Sequence, residues 1–307
     1  VVKRLESFHV ETHSDMASKV IDDLLQSTVL NGGKRLRPLL TYLMGNFFGL
    51  KAQECDVLAR SIEQVHAASL AHDDVIDNAT IRRGNPSINI QGSNKKAILA
   101  GDYLLADVIM LLCEKSRPDV VHEMAKVIHD LAQGEWLQWE AVSKREYSLK
   151  ILENIALKKT ASVMSWCCLA PAIVANLDNK SQDLARSFGK NLGLAFQLTD
   201  DVLDFSRQSN KDRVLDLQNE QVNFVMYEWL LEDCERMKAY KRGESLQSLA
   251  SEADFKKASQ KIEKNASVYL QRAESLLEDI SCQIVNPSKE ARNSLNLILK
   301  FLSKRSF

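Results

Sequence analysis

The sequence predicts an all-α fold, and three observations carry that prediction. Long stretches place apolar residues at three- and four-residue steps, as Val57, Leu58, Ile62, Val65, Leu70 and Ile76 do over 54–77. Glycine and proline are scarce, at 11 and 5 in 307 residues, which disfavours turn-rich β architectures. No segment alternates polar and apolar residues as a half-buried strand would.

The helical period marks out about ten segments: 16–29, 36–48, 54–77, 96–115, 119–140, 149–175, 181–205, 220–239, 252–279 and 289–303. Turn chemistry separates them. Asn31-Gly32-Gly33 ends the first, and Arg83-Gly84-Asn85-Pro86 lies between the third and fourth. Arg117-Pro118, Arg242-Gly243 and Asn286-Pro287 mark later breaks. The uncharged run 160–177 is nominally long enough to span a bilayer. Its Pro171, Asn176 and small polar residues fit a helix buried in a large helical core better. With no solenoid repeat, low-complexity tract or linker, residues 1–307 read as a single all-α domain. The charged face KKASQKIEKNASVYLQRAESLLEDI in the C-terminal third reads as solvated, with a subunit contact as the alternative.

Composition narrows the function. Apolar residues at 45 % and charged residues at 26 % exclude intrinsic disorder. Forty basic against 41 acidic residues leave a net charge of −1, so bulk electrostatics gives no support to nucleic-acid binding. Cys55, Cys113, Cys167, Cys168, Cys234 and Cys282 form no Cys-x-x-Cys pair, which reads as packed thiols in a reducing compartment. VVKRLESFHVETHSDM has no apolar signal core. A soluble, cytoplasmic protein is expected, or one in an organelle matrix if a presequence has been removed.

Two acidic trios carry the chemistry. His72-Asp73-Asp74-Val75-Ile76-Asp77 and Asp200-Asp201-Val202-Leu203-Asp204-Phe205 repeat one arrangement far apart in the chain. On a helix, residues i and i+4 share a face, so Asp73 with Asp77, and Asp200 with Asp204, can converge on a cation. Hard oxygen ligands of this kind suit Mg²⁺ shared with substrate phosphates. One such trio reads most simply as a solvated helix end; two, each after an apolar stretch, point to metal. Basic clusters accompany them: Gly32-Gly33-Lys34-Arg35-Leu36-Arg37-Pro38, Arg82-Arg83-Gly84, Lys158-Lys159-Thr160 and Lys211. A glycine pair beside guanidinium forks is a natural phosphate cradle.

In that order GGKRLRP, QVHAASLAHDDVID, RRGNPS, AILAGDYLLA, KKTAS and FGKNLGLAFQLTDDVLDF resemble the trans-isoprenyl diphosphate synthases, or polyprenyl synthetases, from about Asn31 to Asp216. The resemblance implies an all-α bundle of isoprenoid synthase type around a central cavity, assembled as a homodimer or possibly a heteromer. It implies that Asp73, Asp74, Asp77, Asp200, Asp201 and Asp204 hold Mg²⁺, usually three ions, gripping an allylic diphosphate. Arg82, Lys159 and Lys211 would contact that diphosphate, with Thr160 and Gln197 lining the reacting centre. Lys34, Arg37, His66 and Arg83 would bind isopentenyl diphosphate. The charges balance: six carboxylates and two diphosphates carry about the negative charge that three Mg²⁺ and six cationic side chains offset.

The implied reaction ionises the allylic C–O bond, attacks the cation with the isopentenyl double bond, and loses a proton to released pyrophosphate. A dry cavity protects the cation. No protein nucleophile is needed. Family members usually carry Gly-Lys-x-x-Gly-x-Asp-Leu after the second trio; here 210–217 reads NKDRVLDL, without either glycine. A lysine usual near Gln221 is also absent. Two other readings are a regulatory subunit of a heteromeric synthase, which tends to lose trio aspartates, and a terpene cyclase, which has no use for GGKRLRP.

Product length turns on the helical turn before Asp73. Early-stopping relatives carry bulky aromatics there, whereas this chain has Ala68 and Ser69. A turn advances about 5.4 Å, close to one isoprene unit. An open tunnel and a product of twenty carbons or more are expected, unless Tyr103 or Phe47-Phe48 supplies a floor. The Trp136 and Trp139 pair reads as core or interface.

Overall fold

The computed structural model describes residues 16–205, 219–250 and 254–304, and these are overwhelmingly helical. In order, α1 (Met16–Ser27), α2 (Leu36–Phe47) and α3 (Ala52–Ile76) precede a hairpin, β1 (Ile81–Arg82) and β2 (Asn85–Pro86). Then come α4 (Ile88–Gln91), α5 (Asn94–Lys115), α6 (Pro118–Lys144) and α7 (Leu149–Ala156), a π-helical turn (Leu157–Ala161) and α8 (Ser162–Val174). The rest comprises α9 (Asn179–Asp204), α10 (Phe224–Leu231), α11 (Cys234–Lys241), α12 (Leu246–Leu249), α13 (Lys256–Gln283) and α14 (Lys289–Lys304). The fold class matches the all-α expectation.

The described residues form two compact units. The first takes those up to Ile128 with Cys167–Asp178 and Pro287–Ala291, and the second takes the remainder.

In the first unit α3 is the spine and packs against α2 and α5. Leu58, Ile62, Val65, Ala68 and Ala71 recur at three- and four-residue steps and are wholly buried, so one stripe of α3 makes the core. Small residues let neighbouring helices close in. A methyl on Gly45 of α2 would stand 2.2 Å from Cys55 Sγ, so only glycine fits there. Helix starts are satisfied locally: Glu54 accepts the Lys51 N–H at 2.8 Å, and Ser93 Oγ accepts that of Lys96 at 3.2 Å.

The hairpin escaped the sequence reading because each strand has two residues, too few to show alternation. Ile81 pairs with Pro86 and Arg82 with Asn85. Arg83 (φ 52°) and Gly84 (φ 82°) both lie in the left-handed region, the pattern of a type I′ turn.

In the second unit α9 packs along α13. Leu198, Val202, Phe224, Trp229, Phe255, Ile262 and Ala266 share its core, with the Phe255 ring 4.4 Å from Phe205 and 4.9 Å from Trp229. The segment expected as one helix over 220–239 is two. Asp233 breaks it, because its carboxylate accepts the N–H groups of Glu235 (2.9 Å) and Arg236 (3.4 Å) and so starts α11 afresh. Trp136 and Trp139 are not core: they are 66 % and 55 % exposed, with ring centroids 6.0 Å apart.

Candidate active site

Both acidic trios occupy the last turn of a helix. Asp73 and Asp74 lie in the final turn of α3 and Asp77 is its C-cap; Asp200, Asp201 and Asp204 end α9. This is the negative end of the helix dipole, where carboxylates are disfavoured by roughly 0.3–1 kcal/mol each. Neither last turn holds a basic residue. Compensating positive charge must come from elsewhere.

At α3 part of it comes from the hairpin. Arg82 Nε and Nη2 both donate to Asp74 Oδ1, at 2.9 and 2.6 Å. Asp74 is fully buried, and its other oxygen has no hydrogen-bond partner. A buried carboxylate oxygen without a partner is costly. Asp73 and Asp77 are half-buried. His72, just before the trio, reaches α5: its Nε2 is 3.1 Å from the Ile98 carbonyl oxygen and 3.5 Å from an Asp102 oxygen. Gly101 makes room, since a methyl there would lie 2.2 Å from that nitrogen.

The same unit gathers the basic residues expected at the isopentenyl diphosphate. Arg83 Nη1 donates to the Asn31 carbonyl at 2.8 Å, and its guanidinium covers Gly33, where a methyl would stand 2.9 Å away. The hairpin is thereby tied to the glycine loop. Arg35, itself at φ 48°, pairs with buried Glu63 and donates to the Leu30 carbonyl. Lys34 is exposed and Arg37 half-buried. His66 on α3 feels all of this: burial, then the charges of Arg37, Arg83, Arg82 and Arg35, hold its pKa well below the ordinary histidine value. It is a neutral imidazole among guanidiniums. Burial also lowers the Arg83 pKa, opposed by Glu63 and reinforced by Arg35 and Arg82. Glu63 pairs with Arg35 and Asp74 with Arg82, so two carboxylates face four clustered guanidiniums and an anion is favoured here.

In the second unit the π turn carries Lys158, Lys159 and Thr160. π turns are rare and concentrate at functional sites. Thr160 Oγ1 lies 2.6 Å from Gln197 Oε1, Gln197 Nε2 donates to Asp201 Oδ1 at 2.8 Å, and Asp201 Oδ2 accepts the Phe224 N–H at 2.9 Å. Asp201 is buried; Asp200 and Asp204 are half-buried. Lys159 pairs with Glu135 and reaches Gln138 Oε1 at 3.1 Å, two partners on α6 that the sequence reading did not foresee. Lys158 donates to Asp130 and Gln133 at 2.8 and 2.6 Å. Gly193 on α9 approaches the π turn so closely that a methyl would stand 2.6 Å from Ala161 Cα. Lys211, and with it the altered 210–217 segment, lies outside the described residues.

Ala68 is wholly buried in a cluster with Ala71, Ala97, Ala100 and Leu104, against which Tyr103 packs. Ser69 is half-buried, its hydroxyl 2.9 Å from the His66 carbonyl.

The donors suit Mg²⁺: hard carboxylate oxygens at two negative helix ends, one of them buried without a hydrogen-bond partner. Among the described residues no group of three acidic, histidine or cysteine side chains is arranged to hold a metal ion by itself.

The sequence profile of the polyprenyl synthetase family matches residues 18–262. The chain is 30 % identical to heptaprenyl diphosphate synthase component 2 of Bacillus subtilis, over 90 % of this chain and 80 % of that one. It is 35 % identical to a mouse all-trans-polyprenyl-diphosphate synthase over 67 % of this chain, and spans 52 % of that relative's length. Among solved structures, decaprenyl diphosphate synthase from Rhodobacter capsulatus superposes with a TM-score of 0.85 at 24 % identity, covering 96 % of this chain and 92 % of that one. The Caulobacter crescentus polyprenyl synthase, complexed with calcium and isoprenyl diphosphate, gives 0.81 at 26 % identity, covering 95 % and 91 %.

Proposed function

Because this chain belongs to the polyprenyl synthetase family, we propose that it condenses isopentenyl diphosphate with an allylic diphosphate to give a longer all-trans polyprenyl diphosphate. The observation that carries the reading is that both acidic trios end helices whose last turns hold no basic residue, the first of them in the same unit as a cluster of arginines around His66. Each trio needs cations, and the cluster needs anions. Mg²⁺ diphosphates supply both.

Asp73, Asp74, Asp77, Asp200 and Asp204 would hold Mg²⁺, which, when bound, neutralises the diphosphate leaving group as its charge develops. The chain's own residues do the rest. Arg82 and Lys159 bind the allylic diphosphate, Lys159 leaving Glu135 for it, and the resemblance adds Lys211. Lys34, Arg37 and Arg83 bind isopentenyl diphosphate, and neutral His66 donates a hydrogen bond there without titrating. Thr160 and Gln197 present oxygen to the allylic carbon as its C–O bond breaks. The isopentenyl double bond then forms the new C–C bond, and the proton lost from the adjacent carbon passes to released pyrophosphate.

A product of twenty carbons or more is supported by small Ala68 and Ser69, and by relatives named deca-, hepta- and hexaprenyl synthases. A homodimer is supported by apolar side chains left exposed on α5 (Leu99, Met110) and α6 (Trp136, Trp139). A heteromer is the second reading, favoured by the name of the Bacillus relative, a component. No helix among the described residues is long and apolar enough to cross a membrane. Action in the cytoplasm or an organelle matrix accords with this, and the Neurospora crassa relative is named mitochondrial.

Incubating the purified chain with labelled isopentenyl diphosphate, farnesyl diphosphate and Mg²⁺ tests the activity. Products longer than farnesyl diphosphate support it. No product from the chain alone, but product on adding a partner subunit, would establish the heteromer.

A further inference from the structure

In the second trio Asp200 and Asp204 are half-buried, whereas Asp201 is buried. Each of its oxygens accepts a hydrogen bond from the protein, one from Gln197 Nε2 and one from the Phe224 N–H. A carboxylate only accepts. The Gln197 atom facing it must therefore be the amide nitrogen, which turns Oε1 toward Thr160. An amide oxygen only accepts as well, so the Thr160 hydroxyl is obliged to donate. The 2.6 Å separation is that of a strong O–H···O bond. A threonine in a helix commonly donates instead to the carbonyl one turn back. Here a chain of three bonds from the Phe224 backbone takes that proton and leaves the hydroxyl's lone pairs free to face elsewhere.

We propose that Asp201 is a positioning residue rather than a metal ligand: acting through Gln197, it fixes the direction of the Thr160 hydroxyl so that oxygen, not a proton, meets the developing allylic cation. The proposal rests on the prenyltransferase reading above and assigns the second aspartate of the trio a task separate from that of Asp200 and Asp204. A proton turned toward the cation would oppose its formation; a lone pair favours it.

The test is a swap that conserves charge. In Asp201→Asn the Phe224 N–H holds the new amide's oxygen outward, so its NH₂ faces Gln197. Gln197 then flips and donates to Thr160, reversing the chain. In the double variant Asp201→Asn with Gln197→Glu, a carboxylate at 197 accepts from both sides, and Thr160 donates again. Asp201→Asn should lower kcat about 100-fold, the scale of losing one oriented group at a developing charge. KM for both diphosphates and the Mg²⁺ concentration giving half-maximal rate should stay within about threefold. The double variant should recover most of kcat. A raised Mg²⁺ requirement in Asp201→Asn, like that of Asp200→Asn, would overturn the proposal, as would a folded double variant no faster than the single. A cycle of unfolding free energies over the two singles and the double needs no turnover. It should show the double more stable than the singles predict together, and additivity there would overturn the chain's polarity. A wild type without condensation would instead overturn the functional reading, leaving that cycle to decide the hydrogen bonds.

Discussion

Arg82 grips Asp74 through a single oxygen, two guanidinium nitrogens converging on Oδ1 at 2.9 and 2.6 Å. The carboxylate is fully buried while about a third of the arginine side chain is exposed. Removing the arginine leaves a buried charge at the negative end of α3. Arg82→Ala should destabilise the protein by about 3 kcal/mol, the low end for breaking a buried pair because the arginine is partly solvated. Chemical denaturation checks this, and Arg82→Ala combined with Asp74→Asn should regain part of the loss. An Arg82→Ala protein as stable as wild type would show the pair to be dispensable.

Metal dependence follows from the outer carboxylates. Activity should vanish on chelation and return with Mg²⁺. Asp73→Asn or Asp200→Asn should cost several orders of magnitude in turnover, because a ligand is lost where leaving-group charge develops. Steady-state rates across a Mg²⁺ titration measure both effects. Near-wild-type turnover in either variant would remove these residues from the metal site.

The two diphosphates should be separable by mutation. Arg83→Ala is expected to raise KM for isopentenyl diphosphate, and Lys159→Ala to act chiefly on the allylic substrate. Each loss should correspond to roughly 1.5–3 kcal/mol, the worth of a hydrogen bond to a charged group. Equal effects of both variants on one substrate would refute the division between the glycine-loop cluster and the π turn.

His66 predicts a pH effect on stability whose sign is fixed by its surroundings. Burial and the flanking arginines depress its folded pKa below 6.5, whereas the unfolded chain titrates near that value. Unfolding in acid therefore takes up a proton. The stabilising contribution is complete above about pH 6.5 and is lost as pH falls through that value toward the folded pKa. His66→Asn should lose less thermal stability than wild type between about pH 7 and about pH 5.5. Parallel melting temperatures in the two proteins would contradict this.

The helices and the trios were legible because both are local. Apolar spacing reports the α3 stripe of Leu58, Ile62 and Val65, and three aspartates within five residues need no third dimension. What escaped depends on distance along the chain. Gln197 lies 37 residues from Thr160, and Phe224 lies 23 from Asp201, so no window of sequence contains that hydrogen-bonded chain. Lys159 reads as a free cation until Glu135 and Gln138 come round on another helix. Asp233 was a missed local signal: an aspartate that accepts the next turn's N–H groups starts a helix, and it divides what apolar spacing had joined. Trp136 and Trp139 read as core or interface, and their exposure on this chain removes the first of the two.

The π turn over Leu157–Ala161 has a genetic consequence. A π turn is an α-helix with one residue too many, and deleting a single codon within it restores the regular register. The helix would survive such a deletion with its backbone bonds intact. Because the wider turn absorbs its extra residue, the helices on either side would keep their facing, and the change would fall on the side chains of the turn itself. Thr160, inside the turn, would lose the placement that brings its hydroxyl to Gln197. An in-frame deletion here would thus give a soluble, helical, folded product that fails at its task, a lesion visible to selection on the pathway but not to a screen for expression.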